Sequence, residues 1–198
     1  MPRLNTRDRD TPGTFHVYNQ TPDKRPAFVD DADRDVFLDI LKRHLGKSSV
    51  GGRADRKCRP IEGVELLGFN LMTTHFHLIL WQKQRFAIAR LMNVALASYV
   101  RYFNRRHGKS GSMFRGEYRA NRIGNEKQFR WTVVYVLDNH PDGVDYRYSS
   151  HRYFAAVNDS PSWLNAAAAL TGVGGMDAYL ELLELRENRA QINAKLFG

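Results

Sequence analysis

The sequence predicts an α+β protein built as a ferredoxin-like sandwich. Short runs of alternating apolar residues indicate strands, and longer stretches carry apolar residues at helical spacing. Their order along the chain is strand, helix, strand, strand, helix. This is the order of a split βαβ unit, in which the helices pack on one sheet.

The first part of this unit follows from local patterns. Alternation predicts a strand at residues 14–19. Asp30 or Asp31 can then cap a helix whose apolar stripe runs to Leu45. Residues 64–72 and 75–82 predict two strands of a hairpin, separated by two threonines.

The second half of the chain is predicted to be mainly helical. Apolar residues at helical spacing indicate a long helix over residues 86–104. Asn125 or Glu126 can open another helix, which should run to about Asn139 and stop before Pro141. The composition changes from residue 158, and a last helix is expected at about 176–196. We therefore expect one domain over residues 1–157 and a helical accessory segment over residues 158–198.

The composition indicates a basic protein in a reducing compartment. The 198 residues include 30 Lys and Arg against 21 Asp and Glu, which gives a net charge of +9 and a pI near 9.8. This charge favours a polyanionic partner, and nucleic acid is the first candidate. The single cysteine, Cys58, excludes an internal disulfide framework, and its charged neighbours indicate an exposed thiol. No apolar run reaches about 18 residues, so we expect a soluble cytoplasmic protein with no membrane partner.

Residues 101–122 form a basic stretch with interleaved aromatic residues. This pattern suits single-stranded nucleic acid, because cationic side chains contact phosphates and rings offer stacking surfaces to bases. The alternative is a solvated basic face whose aromatic residues belong to the core. The candidate DNA-binding residues are the seven cations of the stretch: Arg101, Arg105, Arg106, Lys109, Arg115, Arg119 and Arg122.

A pair of histidines on the second strand of the hairpin is a candidate metal site. His75 and His77 are two residues apart, so their side chains point to the same face of a strand. Neutral imidazole is a common metal ligand, and two such rings can turn toward one point. The alternative is that both histidines only hydrogen-bond to neighbours or water.

Tyr135 is the candidate nucleophile. It lies four residues before Asn139, so the two are neighbours one turn apart if the helix includes both. The histidines and the amide oxygen of Asn139 can then hold a cation that polarises a phosphate, while the phenol attacks phosphorus. Six further tyrosines are rivals: Tyr99, Tyr102, Tyr118, Tyr146, Tyr148 and Tyr153. Tyr99 is better explained as core, and Tyr146 and Tyr148 as packing residues of a late strand or turn.

Seven stretches, in the same order along the chain, resemble the single-tyrosine HUH transposases of the insertion-sequence type. The similarity is greatest to their branch of REP-associated tyrosine transposases, and it covers roughly residues 14–155. The stretches are FHVYNQ (15–20), DADRDVFL (31–38), MTTHFHL (72–78), YFNRRHG (102–108), GSMFRGEYR (111–119), YVLDN (135–139) and DYRYSS (145–150).

The resemblance implies a function and a role for each candidate residue. It implies that His75 and His77 bind Mg²⁺ or Mn²⁺, that Tyr135 is the nucleophile, and that Asn139 is the third ligand. It also implies a central antiparallel sheet and cleavage of single-stranded DNA beside a hairpin, with a 5′-phosphotyrosine and a free 3′-hydroxyl as products. No nucleoside triphosphate is then needed, because the phosphodiester energy is kept in the phosphotyrosine.

Two departures from the family pattern leave alternatives open. His140 stands between Asn139 and Pro141, where relatives have Asn-Pro, so His140 can replace or supplement Asn139 as a ligand. Gln20 stands where relatives often have arginine, which weakens the transfer of their DNA-recognition details. A monomer and a homodimer both remain possible.

Two other functions compete with DNA nicking and strand transfer. The first is a non-catalytic protein that keeps the fold and binds nucleic-acid hairpins without forming a covalent adduct. The second is a hydrolytic metalloenzyme in which the histidines activate water. The second is disfavoured because no acidic residue flanks the pair to act as ligand or base.

Overall fold

The computed structural model describes residues 11–45, 60–140, 142 and 145–197, leaving aside the side chains of residue 155 and of residues 188–197. Cys58 and residues 46–53 lie outside the described residues. No helix among the described residues is long and apolar enough to cross a membrane.

A four-stranded antiparallel sheet forms the centre of the molecule. Its strands are β1 (Gly13–Gln20), β2 (Val64–Met72), β3 (His75–Gln82) and β4 (Arg119–Arg122). They lie in the order β2-β3-β1-β4, and every neighbouring pair is antiparallel. The predicted hairpin of residues 64–72 and 75–82 is confirmed at both strands.

Helices α1 (Asp31–Leu45) and α2 (Ala87–His107) complete the split βαβ unit. The chain alternates as β1, α1, β2, β3, α2 and β4, and the sheet order follows this topology. The ferredoxin-like α+β prediction is therefore confirmed. Helix α2 extends to His107, three residues beyond its predicted end at 104, and Gly108 then ends it in the left-handed conformation with φ of 61°.

The edge strand β4 is not predicted by the sequence pattern, which indicates only a basic stretch at these residues. Arg119–Arg122 pairs with β1, and Ala120 is its one buried residue. A strand of four residues with arginine at both ends lacks the apolar alternation that signals a strand. Short, charged strands of this kind are typical of sheet edges, where they discourage pairing with other chains.

The two faces of the sheet carry different helices. Helices α1 and α2 cover the face that holds Phe76, whose ring lies 5.2 Å from Phe37. Helix α3 (Glu126–Leu137) covers the opposite face, which holds the histidines. Gly68 permits this close packing, because a Cβ atom there would lie 3.0 Å from the Leu137 side chain.

Polar side chains fix the C-terminal end of α3 above β2. The Asn70 amide donates to the carbonyls of Val136 and Leu137 at 3.0 and 3.3 Å, and the Ser149 hydroxyl donates to Leu137 at 2.8 Å. These bonds satisfy carbonyls that the helix itself leaves unpaired. The helix ends at Leu137, so the prediction that it runs to Asn139 is wrong by two residues.

Among the described residues, three α-helices follow α3 along the chain. They are α4 (Arg152–Ala155), α5 (Ala166–Val173) and α6 (Met176–Phe197), and the last confirms the helix predicted at 176–196. Both α5 and α6 contact α3, and a Cβ atom at Gly172 would lie 2.6 Å from the Phe129 ring. The boundary at residue 158 stays a prediction.

Candidate active site

The two histidines predicted as a pair lie on the face of β3 that α3 covers. Strand pairing places Tyr18 opposite His77 and Gln20 opposite His75. The centroids of the two imidazole rings are 5.0 Å apart, and the rings are nearly perpendicular. The two rings therefore project side by side, as their spacing in the sequence predicted.

His16 adds a third imidazole to this cluster. Its Nε2 lies 2.8 Å from Nδ1 of His77, and the two rings stack at 5.0 Å. Tyr18 in turn stacks on His16 at 4.9 Å. Sequence reasoning assigned no role to either residue. The alternation of the first strand held the signal, because His16 and Tyr18 are two residues apart, like His75 and His77.

Burial keeps the three imidazoles neutral. It lowers the pKa of His16 from 6.5 to about 4. Burial, together with the neighbouring His16 and His75, lowers the pKa of His77 to about 3. Burial also lowers the pKa of His75. At neutral pH each ring therefore keeps a nitrogen lone pair that can bind a cation or accept a hydrogen bond.

Tyr135 lies over the histidine cluster. Its ring meets His77 edge-on at 5.7 Å and His16 edge-on at 6.1 Å. The residue is 46% exposed, so its side chain is open to a substrate. The histidine strand and the tyrosine helix thus face one another, which a reaction using both requires.

Four of the six rival tyrosines are held elsewhere by their hydroxyl groups. Tyr99 is fully buried and donates to the Ala27 carbonyl at 2.7 Å, as expected for a core residue. Tyr102 donates to Asp33, Tyr146 to the Leu71 carbonyl and Tyr148 to the Asp31 carbonyl. Among the described residues, Tyr18 is the other tyrosine whose ring neighbours that of His77, at 5.8 Å.

Arg186 brings the C-terminal segment into the site. Its guanidinium carbon lies 5.8 Å from the centroid of the Tyr135 ring. The same side chain donates to the Val134 carbonyl at 3.0 Å and pairs with Asp138 at 2.7 Å. Arg186 therefore spans the last turn of α3 and fixes the surroundings of the Tyr135 ring. Nothing in the sequence pattern indicated this contact.

The donor atoms on this face fit a divalent cation. A metal lies about 2.1 Å from each imidazole nitrogen, and ring centroids 5.0 Å apart allow two rings to share one ion. If His77 Nδ1 donates its proton to His16, Nε2 of His77 is free to bind metal, an arrangement common among metal-bound histidines.

A buried amide oxygen lies beside the histidine pair. Asn70 is fully buried and directly opposite His77 in the sheet, and its Oδ1 has no hydrogen-bond partner. Within the part of the chain that the structure describes, no group of three or more His, Cys, Asp or Glu side chains could hold a metal ion. Further ligands must then come from amide oxygens, water or the phosphate of a substrate.

The helix end at Leu137 changes the argument for the third ligand. Asn139 lies two residues beyond the helix, so helical spacing no longer makes it a neighbour of Tyr135. His140 stacks flat on the Tyr146 ring at 3.5 Å, and its Nδ1 accepts from the backbone of Asp142 at 3.2 Å. Whether Asn139 or His140 is the third metal ligand is not decided by these contacts, and both assignments stay predictions.

One solved structure has a fold similar to that of this chain. A REP-associated tyrosine transposase, solved bound to a REP hairpin, has a TM-score of 0.55 and 15% sequence identity, over 82% of this chain and 90% of that one. The two proteins share a fold. A second solved structure, a candidate transposase from Deinococcus radiodurans R1, covers 65% of this chain and 90% of its own, with a TM-score of 0.40 and 14% identity. No protein-family model and no curated protein matches the sequence.

The predicted DNA-binding cations lie on different surfaces. Arg101 and Arg105 are exposed on α2, behind the sheet as seen from α3. Lys109 and Arg115 are exposed in the following loop. Arg119 lies opposite Tyr18 in the sheet, so its side chain leaves β4 on the histidine face.

Two of these cations have partners inside the protein. Arg106 pairs with Asp30 at 2.7 Å and with the buried Asp33 at 2.5 Å. Its guanidinium therefore links α1 to α2, and both of its terminal nitrogens bond to carboxylates of the protein. Arg122 hydrogen-bonds to Thr11 and lies over the Phe15 ring at 5.9 Å.

Two of the four aromatic residues of the basic stretch lie in the core. Phe103 and Phe114 are buried, and Phe114 packs edge-on against Phe76 at 5.7 Å. Tyr102 is half-buried and bonded to Asp33. The expectation that rings of this stretch stack on bases is wrong for Phe114, and Phe103 follows the alternative in which the ring belongs to the core.

Proposed function

We propose that this protein is a metal-dependent transposase that nicks and rejoins single-stranded DNA beside hairpins, through a 5′-phosphotyrosine at Tyr135. One observation carries the proposal: the exposed Tyr135 ring lies edge-on to His77 at 5.7 Å, on a helix that covers the histidine strand. The fold shared with a REP-associated tyrosine transposase supports it. So does the basic composition of the chain.

Each residue of the site has a role in this proposal. His75 and His77, with Asn139 or His140 as a further ligand, would hold Mn²⁺ or Mg²⁺, which polarises the scissile phosphate when bound. His16 hydrogen-bonds to His77 and fixes the orientation of its ring. Arg186 fixes the Tyr135 ring from the side of α6.

The chemical step is an exchange of one phosphoester for another. The Tyr135 oxygen attacks phosphorus, a bond forms between them, and the bond from phosphorus to the 3′-oxygen breaks. The phenolic proton passes to solvent, and the departing 3′-oxygen takes up a proton. The products are a 5′-phosphotyrosine on the protein and a free 3′-hydroxyl. Attack by another 3′-hydroxyl reverses the step and joins two strands.

A covalent-adduct assay tests the proposal. The protein is incubated with Mn²⁺ and a labelled pool of DNA hairpins that carry randomised single-stranded flanks, and the products are separated on a denaturing gel. We expect a protein–DNA adduct and a free 3′-hydroxyl product. Tyr135→Phe should bind the same hairpins but form no adduct. Tyr18→Phe is the matched control, because it removes a phenol equally close to His77.

The other outcomes separate the alternatives. Binding without an adduct under every metal condition indicates a non-catalytic hairpin-binding protein. Cleavage without an adduct indicates hydrolysis. An adduct that persists in Tyr135→Phe but is lost in Tyr18→Phe makes Tyr18 the nucleophile.

A second set of variants tests the metal. We expect EDTA, His75→Ala or His77→Ala to abolish adduct formation, because each removes the cation or one of its ligands. The circular dichroism spectra should match the parent. Asn139→Ala should have a milder effect if His140 can substitute. Full activity of the double histidine variant in EDTA would overturn the metal assignment.

A further inference from the structure

An open groove of about 560 Å³ leads from Tyr135 along one side of α3. This volume is within the range of ligand sites, about 300 to 1,000 Å³. Its position makes it an approach to the phenol that the chemistry would use. The lining residues are His16, Asn125, Lys127, Gln128, Trp131, Thr132 and Tyr135.

The lining of this groove suits a polyanion. None of its lining residues is acidic, and Lys127 supplies a positive charge. The neighbouring cleft of about 540 Å³ between α3 and α5 differs, because Glu65 and Glu126 contribute to its wall. Arg130 offsets the charge of Glu126, and the remaining Glu65 carboxylate makes that cleft less favourable to a phosphate backbone than the groove.

Trp131 gives the groove a surface on which a base can stack. Its side chain is half-buried, so packing holds it while part of it faces solvent. It lies one helical turn before Tyr135, on the same side of α3. A base stacked on Trp131 would therefore place a neighbouring phosphate near Tyr135.

Local hydrogen bonds fix the far end of the groove. Asn125 caps α3 by accepting from the backbone of Gln128 at 2.8 Å. Gln128 in turn accepts from the backbone of Gly124 at 2.8 Å. Both amide oxygens are therefore occupied, and these bonds hold the far end of the groove in place.

We propose that this groove binds the single-stranded DNA flank next to the scissile phosphate, with one base stacked on Trp131 and a backbone phosphate at Lys127. The inference rests on the proposed function and names the part of the protein that receives the unpaired strand. Because stacking accepts every base, the groove contributes affinity without sequence preference.

Binding of a fluorescein-labelled 12-residue oligothymidylate, in EDTA, tests this subsite without any chemistry. Loss of a stacked base costs about 1 to 3 kcal/mol, so Trp131→Ala should weaken binding about tenfold, while Trp131→Phe keeps most of the affinity. Lys127→Gln should lower the salt dependence by about 0.7 in log–log slope. Phe86→Ala is the matched control: it removes another exposed aromatic ring beside an arginine, outside the groove.

Photo-crosslinking of the unaltered protein gives a second measurement. An oligothymidylate with one 5-iododeoxyuridine should crosslink to the peptide that contains Trp131. Parental affinity of Trp131→Ala, or crosslinks confined to the α2 surface, would overturn the proposal. Failure of the adduct assay with the Trp131 effect intact refutes the transposase chemistry but not the groove.

Discussion

Asp33 is a buried carboxylate that joins α1 to α2. It accepts from the Val29 backbone at 2.9 Å, and it pairs with Arg106 at 2.5 Å and His107 at 3.0 Å. Burial alone would raise the pKa of Asp33, but the Val29 amide, His107 and Arg106 outweigh it and hold the pKa below its ordinary value. The carboxylate is therefore charged in the folded protein at neutral pH.

Asp33→Asn should show a stability loss that depends on pH. Breaking a buried ion pair costs about 3 kcal/mol or more, so we expect a loss of that size at pH 7. The folded-state pKa lies below the unfolded value of about 3.9. The contribution of Asp33 is therefore complete above pH 4 and fades as the pH falls through the folded-state pKa. Urea unfolding at pH 7 and pH 3 measures the difference.

The control for Asp33 is a carboxylate that is exposed. Asp35 lies 3.5 Å from Arg147, and both side chains are about half exposed or more. Asp35→Asn should change the unfolding free energy by less than about 1 kcal/mol at either pH. An equal loss for Asp33→Asn at pH 7 and pH 3 would contradict the ionic role of Asp33.

The sequence revealed some of these residues and not others. His75 and His77 could be predicted because strand alternation places them on one face regardless of the rest of the fold. His16 reaches His77 only through the pairing of β1 with β3, 61 residues away along the chain. Asp33 likewise depends on the position of α2 against α1. Contacts between distant elements leave no periodic signal in one sequence.

At the scale of elements, α6 joins the site through Arg186. We expect Arg186→Gln to slow adduct formation roughly 100-fold, the cost of a small misplacement of a reacting group. Affinity for hairpin DNA should not change, because this substitution leaves the groove beside Tyr135 and the basic stretch of residues 101–122 intact. Arg186→Lys should restore part of the rate by pairing with Asp138. Single-turnover adduct formation and equilibrium binding measure the two quantities separately.

A distant arginine is the control for α6. Arg147→Gln removes a cation that lies over Tyr148 and pairs with Asp35, and it should leave adduct formation unchanged. If Arg186→Gln formed the adduct at the parental rate, α6 would pack on α3 without contributing to the reaction. Equal losses for Arg186→Gln and Arg147→Gln would indicate a general charge effect.

The elements differ in how well the sequence predicted them. Both hairpin strands and most of α1 and α2 follow from apolar periodicity. The end of α3 does not, because Asn70 and Ser149 take its last carbonyls from other parts of the chain. Strand β4 was missed because its pairing with β1, and not its composition, makes it a strand.

At the scale of the whole molecule, the positive charge is divided between surfaces. Exposed Arg105 lies on α2, Arg115 in the loop that follows, and Arg119 on β4. Replacing these three with Gln should lower the salt dependence of hairpin binding by about 0.7 to 0.9 in log–log slope for each of them that contacts a phosphate. Fluorescence anisotropy over a salt series measures the slope.

An equal change in net charge elsewhere controls for bulk electrostatics. Replacing Arg85, Arg90 and Arg147 with Gln removes three exposed positive charges outside the basic stretch. This variant should keep the parental slope. The same slope in both triple variants would mean that the basic stretch is a solvated face. Arg106 is left unchanged, because its loss would break the Asp30 and Asp33 pairs.

The contact of Arg186 with α3 has a consequence for the growing chain. Arg186 is 52 residues beyond Val134, whose carbonyl it binds. At about 5 to 20 residues per second, synthesis of that interval takes roughly 3 to 10 s. During that time Tyr135 has been synthesised but Arg186, which contacts its ring, has not. A chain that ends before residue 186 would lack these contacts, so we expect it to form the adduct as slowly as Arg186→Gln does.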